Sequence, residues 1–194
     1  DYGAAVTGDA VLTSDTGSTA TASDSWTYLA DGEIAQVEPL AGQSGTVVTI
    51  DGERLLGGGS GTPSVTLAGV EAFVQTGFTD ARVVAVCLEP INDETGGLGD
   101  VVVTGSSGVV TRLVDGFTYS QITAVSPTSG QRGTIITITG VALFASGTDV
   151  NAVRLTASSE VAQLIFTSDT MIIAAVGSVQ VEQDRLNDIR LEID

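Results

Sequence analysis

The 194-residue sequence predicts an all-β chain built of serial β-sandwich repeats, and three observations carry that expectation. Hydrophobic residues make up 42% of the chain and aromatics only 5%, so the core palette is Val, Ile, Leu and Ala, which favours strands. Short β-rich runs alternate with Gly, Asp, Ser and Pro, and no segment of ten or more residues carries a helical period. Finally, the chain matches itself over domain-scale distances, the signature of an array.

The main self-match has a spacing of 88 residues. Ile34–Pro39 falls on Ile122–Pro127 and Gly42–Gly52 on Gly130–Gly140; Leu55 then meets Leu143, Phe78-Thr79 meets Phe166-Thr167, and Asp100–Val103 meets Asp188–Leu191. A second match, with a spacing of 91, pairs Gly8–Thr13 with Gly99–Thr104 and Trp26-Thr27-Tyr28 with Phe117-Thr118-Tyr119. Residues 1–28 therefore read as the C-terminal strands of a preceding repeat, 34–119 as a complete repeat, and 122–194 as a repeat lacking its last strand. A sandwich of roughly 90–100 residues is an ordinary size.

A lone hairpin is marginal and an unfinished sandwich exposes an edge and a core, so something is expected to complete both ends. The chain starts Asp1-Tyr2-Gly3 without Met, which fits a processed product or an excerpt of a longer polypeptide. The other route is donor-strand complementation, in which the N-terminal strands of one copy complete the open C-terminal repeat of the next.

In chain order, the strands of the complete repeat are expected near Ala35–Val37, Thr46–Ile50, Ser64–Leu67, Ala72–Gln75, Arg82–Cys87, Asp100–Thr104 and Gly116–Tyr119. Pro39 ends the first and makes the chain cross over, and Gly42 and Gly45 offer positive φ for a tight connection. The third repeat departs from the pattern after Leu155, where Thr156–Ser159 stands in place of a glycine, so its middle loops should differ.

The run Ile34-x-x-Val37-x-Pro39-x-x-Gly42-x-x-Gly45-Thr46-x-Val48-Thr49-Ile50-x-Gly52-x-x-Leu55, continuing to Val65-x-Leu67-x-Gly69, resembles the opening half of an IPT/TIG domain. It recurs at Ile122, Val125, Pro127, Gly130, Gly133, Thr134, Ile136, Thr137, Ile138, Gly140 and Leu143, and the closing aromatic-Thr-Tyr strand also fits. The resemblance implies tandem immunoglobulin-like sandwiches. It also implies one of three settings: arrays of cell-surface receptors and adhesins, accessory modules of secreted carbohydrate-active enzymes, or the DNA-contacting domains of certain transcription factors.

Charge separates these settings. With 24 acidic residues against 7 basic ones, all Arg, and no His, the net charge of −17 opposes nucleic-acid binding, which depends on cationic contacts to phosphate. The same balance suits an extracellular or cell-surface protein, including one working in high salt. The lack of His and the single Cys87 exclude Ser-His and Cys-His chemistry and most zinc sites. Cys87 sits in the apolar run Val83–Leu88 and reads as a buried small hydrophobe; alone, it forms no intrachain disulfide. No run approaches the roughly 18 apolar residues of a membrane helix.

Few residues are candidates for a site. Glu89, Asn92, Asp93 and Glu94 place four oxygen-bearing side chains in one loop, a weak calcium candidate against the simpler reading of a solvated acidic loop. Asp9, Asp100 and Asp188 recur before strands and read as turn caps bonding their own backbone. Thr13–Ser23 reads as a polar loop open to O-linked sugars, and the chain has no Asn-x-Ser/Thr acceptor. Trp26, Tyr28, Phe117 and Tyr119 are expected to combine core packing with contacts to the next repeat, because the joints fall just after Tyr28 and Tyr119 with short linkers.

No catalytic residue and no cofactor is expected. The leading expectation is a non-catalytic structural or adhesive array acting as stalk, spacer or filament subunit. Its partners would be adjacent repeats or copies of itself, and other cell-surface proteins or glycans, with no nucleic acid and no membrane insertion. The alternative is an accessory glycan- or protein-binding module, which requires an exposed aromatic platform.

Overall fold

The computed structural model describes residues 5–90, 97–155 and 160–177. The described chain is all-β, with no helix, and its strands form immunoglobulin-like sandwich sheets. They fall into a two-stranded, an eight-stranded and a five-stranded sheet.

The first sheet is the hairpin β1 (Val6–Thr13) and β2 (Thr19–Tyr28). Only Ser14–Ser18 form its turn, so Thr19–Ser23, expected as loop, is strand. Its Ser and Thr side chains alternate with Ala in cross-strand pairs such as Ala22 with Ala10 and Thr21 with Val11.

The eight-stranded sheet runs β3-β5-β8-β7-β6-β9-β10-β4, where β3 is Glu33–Glu38, β4 Ala41–Gly42, β5 Val47–Glu53, β6 Ser64–Leu67, β7 Val70–Val74, β8 Arg82–Cys87, β9 Gly97–Thr104 and β10 Val110–Tyr119. Pro39 separates β3 from β4, and the chain crosses from β5 to β10, which β4 joins in parallel. Alternation decides which side chains enter the core: Val48 and Ile50 from β5, Val83, Ala85 and Cys87 from β8, Val101 and Val103 from β9, and Phe117 and Tyr119 from β10 are all buried. These residues form one cluster with Ile34, Val37, Leu55, Val65 and Leu67.

Gly42 and Gly45 differ in what they require. Gly45 has φ +90°, a left-handed conformation that favours glycine. Gly42 does not have a left-handed φ; a Cβ there would lie 2.7 Å from the Thr46 side chain, so close approach excludes a larger residue. Thr46 uses that space to accept the Gln43 amide through Oγ1 at 3.0 Å.

The five-stranded sheet runs β11-β12-β15-β14-β13, with β11 Gln121–Ser126, β12 Ile135–Val141, β13 Val153–Leu155, β14 Glu160–Thr167 and β15 Met171–Val176. Local geometry around residues 121–143 repeats that around 33–55. Gly133 has φ +84°, Gly130 meets Thr134 as Gly42 meets Thr46, and Thr134 Oγ1 accepts the Gln131 amide. Leu55 N and Leu56 N donate to the Asp80 carbonyl and Oδ1, and Leu143 N and Phe144 N donate likewise to Asp169. The last equivalence has a spacing of 89, so Thr79 corresponds to Ser168 rather than Thr167, one residue from the sequence-based register. A bulge between Leu164 and Phe166 lies in the preceding strand.

Candidate functional site

The residues singled out by sequence do not converge on one catalytic pocket. Asn92, Asp93 and Glu94 lie outside the described residues, and among the described residues no group of three or more His, Cys, Asp or Glu is placed to hold a metal ion. A shallow groove of about 550 Å³ runs along β3 and β10, lined by Ala35–Leu40 and Leu113. Its only ionisable side chain is Glu38, with no nucleophile or base beside it.

Cys87 is buried in the core, and desolvation pushes its thiol up to about 11, so it stays protonated and unreactive at neutral pH. Tyr119 lies nearby, with its hydroxyl donating to the Leu88 carbonyl. Desolvation, then the neighbouring Cys87 and Glu89, push that phenol up to about 12. Asp51 forms an exposed pair with Arg82 (2.5 Å), whose hydrogen bond holds its carboxyl below the ordinary value.

The four aromatic candidates divide into two pairs with the same internal geometry. Phe117 and Tyr119 meet edge to face with centroids 6.2 Å apart, and Trp26 and Tyr28 do so at 6.1 Å. Their environments are opposite: Phe117 and Tyr119 are 1% and 2% exposed, Trp26 and Tyr28 59% and 52%. Val6 and Leu12, which alternation places on the same side of β1 as the partners of these two rings, are also exposed. The hairpin β1–β2 thus presents an apolar face with two aromatic rings, the most distinctive surface of the chain.

The aspartates expected to cap their own turns act across the hairpin instead. Asp9 Oδ1 accepts the amide of Asp24 and Asp100 Oδ1 that of Asp115, both at 2.9 Å. Asp24 and Asp115 have φ of 48° and 51°, at the register shifts of the two hairpins. A carboxylate satisfies the amide that the shift removes from the ladder. The spacing of 15 residues from acceptor to donor was present in both copies, but only knowledge of the shift gives it meaning. Asp188 lies outside the described residues.

A second uncovered face lies on β11. Ile122 and Val125 are 50% and 37% exposed, whereas Ile34 and Val37 at the same places on β3 are 5% and 4% exposed. Beneath them Ile136, Ile138, Val153, Ile172, Ala174 and Val176 still form a core.

Residues 120–187 match the family model described as IPT/TIG domain. The chain is similar to the extracellular region of plexin A4, at 23% sequence identity and a TM-score of 0.39, over 79% of this chain and 16% of that one. It is similar to surface glycan-binding protein PbSGBP-B from Prevotella bryantii, at 11% identity and a TM-score of 0.35, over 76% of this chain and 37% of that one. It is also similar to the gamma-CGTase of alkalophilic Bacillus clarkii, at 18% and 0.39, over 87% of this chain and 26% of that one. These are likenesses of fold alone, and the chain spans well under half of each structure. No curated protein matches it. Among the described residues no helix is long and apolar enough to cross a membrane.

Proposed function

We propose that the chain is a non-catalytic structural or adhesive module of an extracellular or cell-surface protein, in which serial IPT/TIG-like sandwiches act as stalk, spacer or filament subunit. Residues 34–119 are one repeat, 122–194 a second, and 1–28 the closing strands of another. The observation that carries this reading is the recurrence of local geometry along the chain: the turn at Gly45 and Gly133, the carboxylate brackets at Asp80 and Asp169, and the cross-hairpin bonds from Asp9 and Asp100. The net charge of −17 fits a hydrated surface outside the cell and repels polyanions.

Short junctions favour a stiff chain. The backbone carbonyl of Asp31 accepts from Arg54 Nε at 2.8 Å, and the Ser120 amide donates to the Gly42 carbonyl at 2.7 Å, so both stretches between repeats are tied to the middle one. Small-angle scattering of the dilute chain is expected to give an extended particle of fixed dimensions. A profile of freely jointed domains would overturn the reading. The open faces at the two ends also favour head-to-tail association by strand complementation.

A second reading, an accessory glycan- or protein-binding module, is favoured by the exposure of Trp26 and Tyr28. Their planes stand 81° apart, so they do not form the flat platform on which a sugar ring stacks. Specific glycan-array binding that disappears in Trp26→Ala would promote this reading over the first.

A further inference from the structure

The two uncovered apolar faces are complementary, and the middle of the chain contains the template for their fit. The hairpins β1–β2 and β9–β10 match in pairing register at a spacing of 91. Thr13 pairs with Thr19 as Thr104 pairs with Val110, and Gly8 pairs with Trp26 as Gly99 pairs with Phe117. Both turns place a glycine in the left-handed region, Gly17 at φ +86° and Gly108 at φ +87°. Ser14 N donates to Ser18 O as Gly105 N donates to Val109 O. In the middle sheet this hairpin is covered: β9 pairs with β6, β10 with β4, and Phe117 and Tyr119 share a core with Ile34 and Val37.

We propose that hairpin β1–β2 of one copy closes the sheet β11–β15 of a second copy, joining copies head to tail through a sandwich built from two chains. The proposal rests on the serial-repeat reading above and assigns its joint. The register follows from β6 and β9, where Val65 faces Val103, Thr66 faces Val102 and Leu67 faces Val101. Val153 and Val65 are equivalent, each buried and paired to an alanine of the next strand. In the joint Val153 faces Leu12, Arg154 faces Val11 and Leu155 faces Ala10. Tyr28 then lies beside Gly130 as Tyr119 lies beside Gly42, and the Trp26 and Tyr28 rings cover Ile122 and Val125.

The occupant is a second copy because its apolar positions match those that the template places in the core. The donor supplies Ala, Leu, Trp and Tyr where the template has Val, Val, Phe and Tyr, and the acceptor supplies Ile122 and Val125 where the template has Ile34 and Val37. The joint is heterologous, since the two faces differ, so it extends rather than closing into a symmetric dimer. Copies carry the same net charge of −17, so association strengthens as salt screens their repulsion.

Trp26 is the single tryptophan, so its emission reports on this joint directly. The intact chain is followed by sedimentation and Trp fluorescence across a concentration series in moderate salt. The expected result is mass growth in steps of 19.6 kDa with a concurrent blue shift of the emission. Leu12→Asp on the donor face and Ile122→Asp on the acceptor face each weaken association about a hundredfold or more. Mixing the two variants restores dimers and nothing larger, because one competent joint survives per pair.

A chain that stays monomeric at every concentration overturns the joint, as does assembly that persists in both variants. A blue-shifted emission independent of concentration also overturns it, since closure is then within one chain. Leu191→Asp tests the rival occupant of the β13 edge, whose sequence repeats Val103; loss of stability in that variant with Leu12→Asp silent counts against the proposal. A monomer whose scattering remains that of a stiff rod leaves the serial-repeat reading intact, and a freely jointed profile removes that reading as well.

Discussion

The hairpins β1–β2 and β9–β10 share their register, turn, bulge and cross-strand carboxylate bond, yet one is bare and the other lies in a core. Gly8 and Gly99 express the difference most simply. Each pairs with the aromatic residue after the register shift, but a Cβ on Gly99 would lie 2.8 Å from the Ala68 Cα, and one on Gly8 would meet nothing within 4 Å. Local sequence is sufficient to form the ladder; burial comes from what lies across it. A hairpin's hydrogen bonds and its hydrophobic stabilisation are therefore separable in this chain, and substitutions can test them separately.

The largest contrast is expected at the aromatic positions. Phe117→Ala removes a fully buried ring and should cost about 3–5 kcal/mol in chemical unfolding. Trp26→Ala, measured on dilute monomer, should cost no more than about 0.5 kcal/mol, as for surface substitutions generally. Equal losses would mean that the N-terminal face is covered in solution even without a second copy.

The glycine pair comes next. Gly99→Ala drives a methyl into the Ala68 backbone and should cost about 1–3 kcal/mol, whereas Gly8→Ala should shift the unfolding midpoint negligibly. By contrast, Asp9→Ala and Asp100→Ala should have similar effects, about 1 kcal/mol each, because both remove the same bond to an amide at a bulge. Backbone hydrogen exchange at Asp24 and Asp115 is the readout; it should accelerate in the respective variant.

A separate effect is pH-dependent and arises from Cys87 and Tyr119 in the core of the eight-stranded sheet. Cys87 and Tyr119 have folded-state values near 11 and 12, above their ordinary values of 9.0 and 10.0. The unfolded chain therefore loses these protons first as pH rises. Stability is fully present below pH 9 and declines as pH climbs through 11 and 12. Urea midpoints measured from pH 8 upward should fall over this window, and Cys87→Ala should remove its lower part.

Much of this fold is legible in the sequence where side-chain alternation speaks. Ser64–Leu67 and Arg82–Cys87 form strands with the expected limits because Val65, Leu67, Val83, Ala85 and Cys87 alternate into one core. Strand β4 was not legible: two residues carry no period, and their pairing is dictated by β10 across the fold. Strand β10 begins at Val110, before the expected Gly116, because β9 offers partners that far back. In the sequence Gly42 reads as a conformational glycine, whereas its constraint is the Thr46 side chain, a contact invisible until the turn closes. The candidate surface was hidden for a similar reason. Trp26-Thr27-Tyr28 has the motif of a buried strand, yet both of its rings are exposed, and among the described residues no strand other than β1 pairs with β2.

The junction after Tyr119 also bears on how the chain can be cut. Ser120 is hydrogen-bonded to Gly42 of the middle sheet, while the next residue, Gln121, already pairs with Val141 of the following one. A protease needs a length of backbone it can draw out of the ladder. Here consecutive residues belong to two different ladders, so cleavage at the junction requires one of the sheets to open first. The covalent passage between the two sheets is thereby protected by the cooperativity of the ladders on either side.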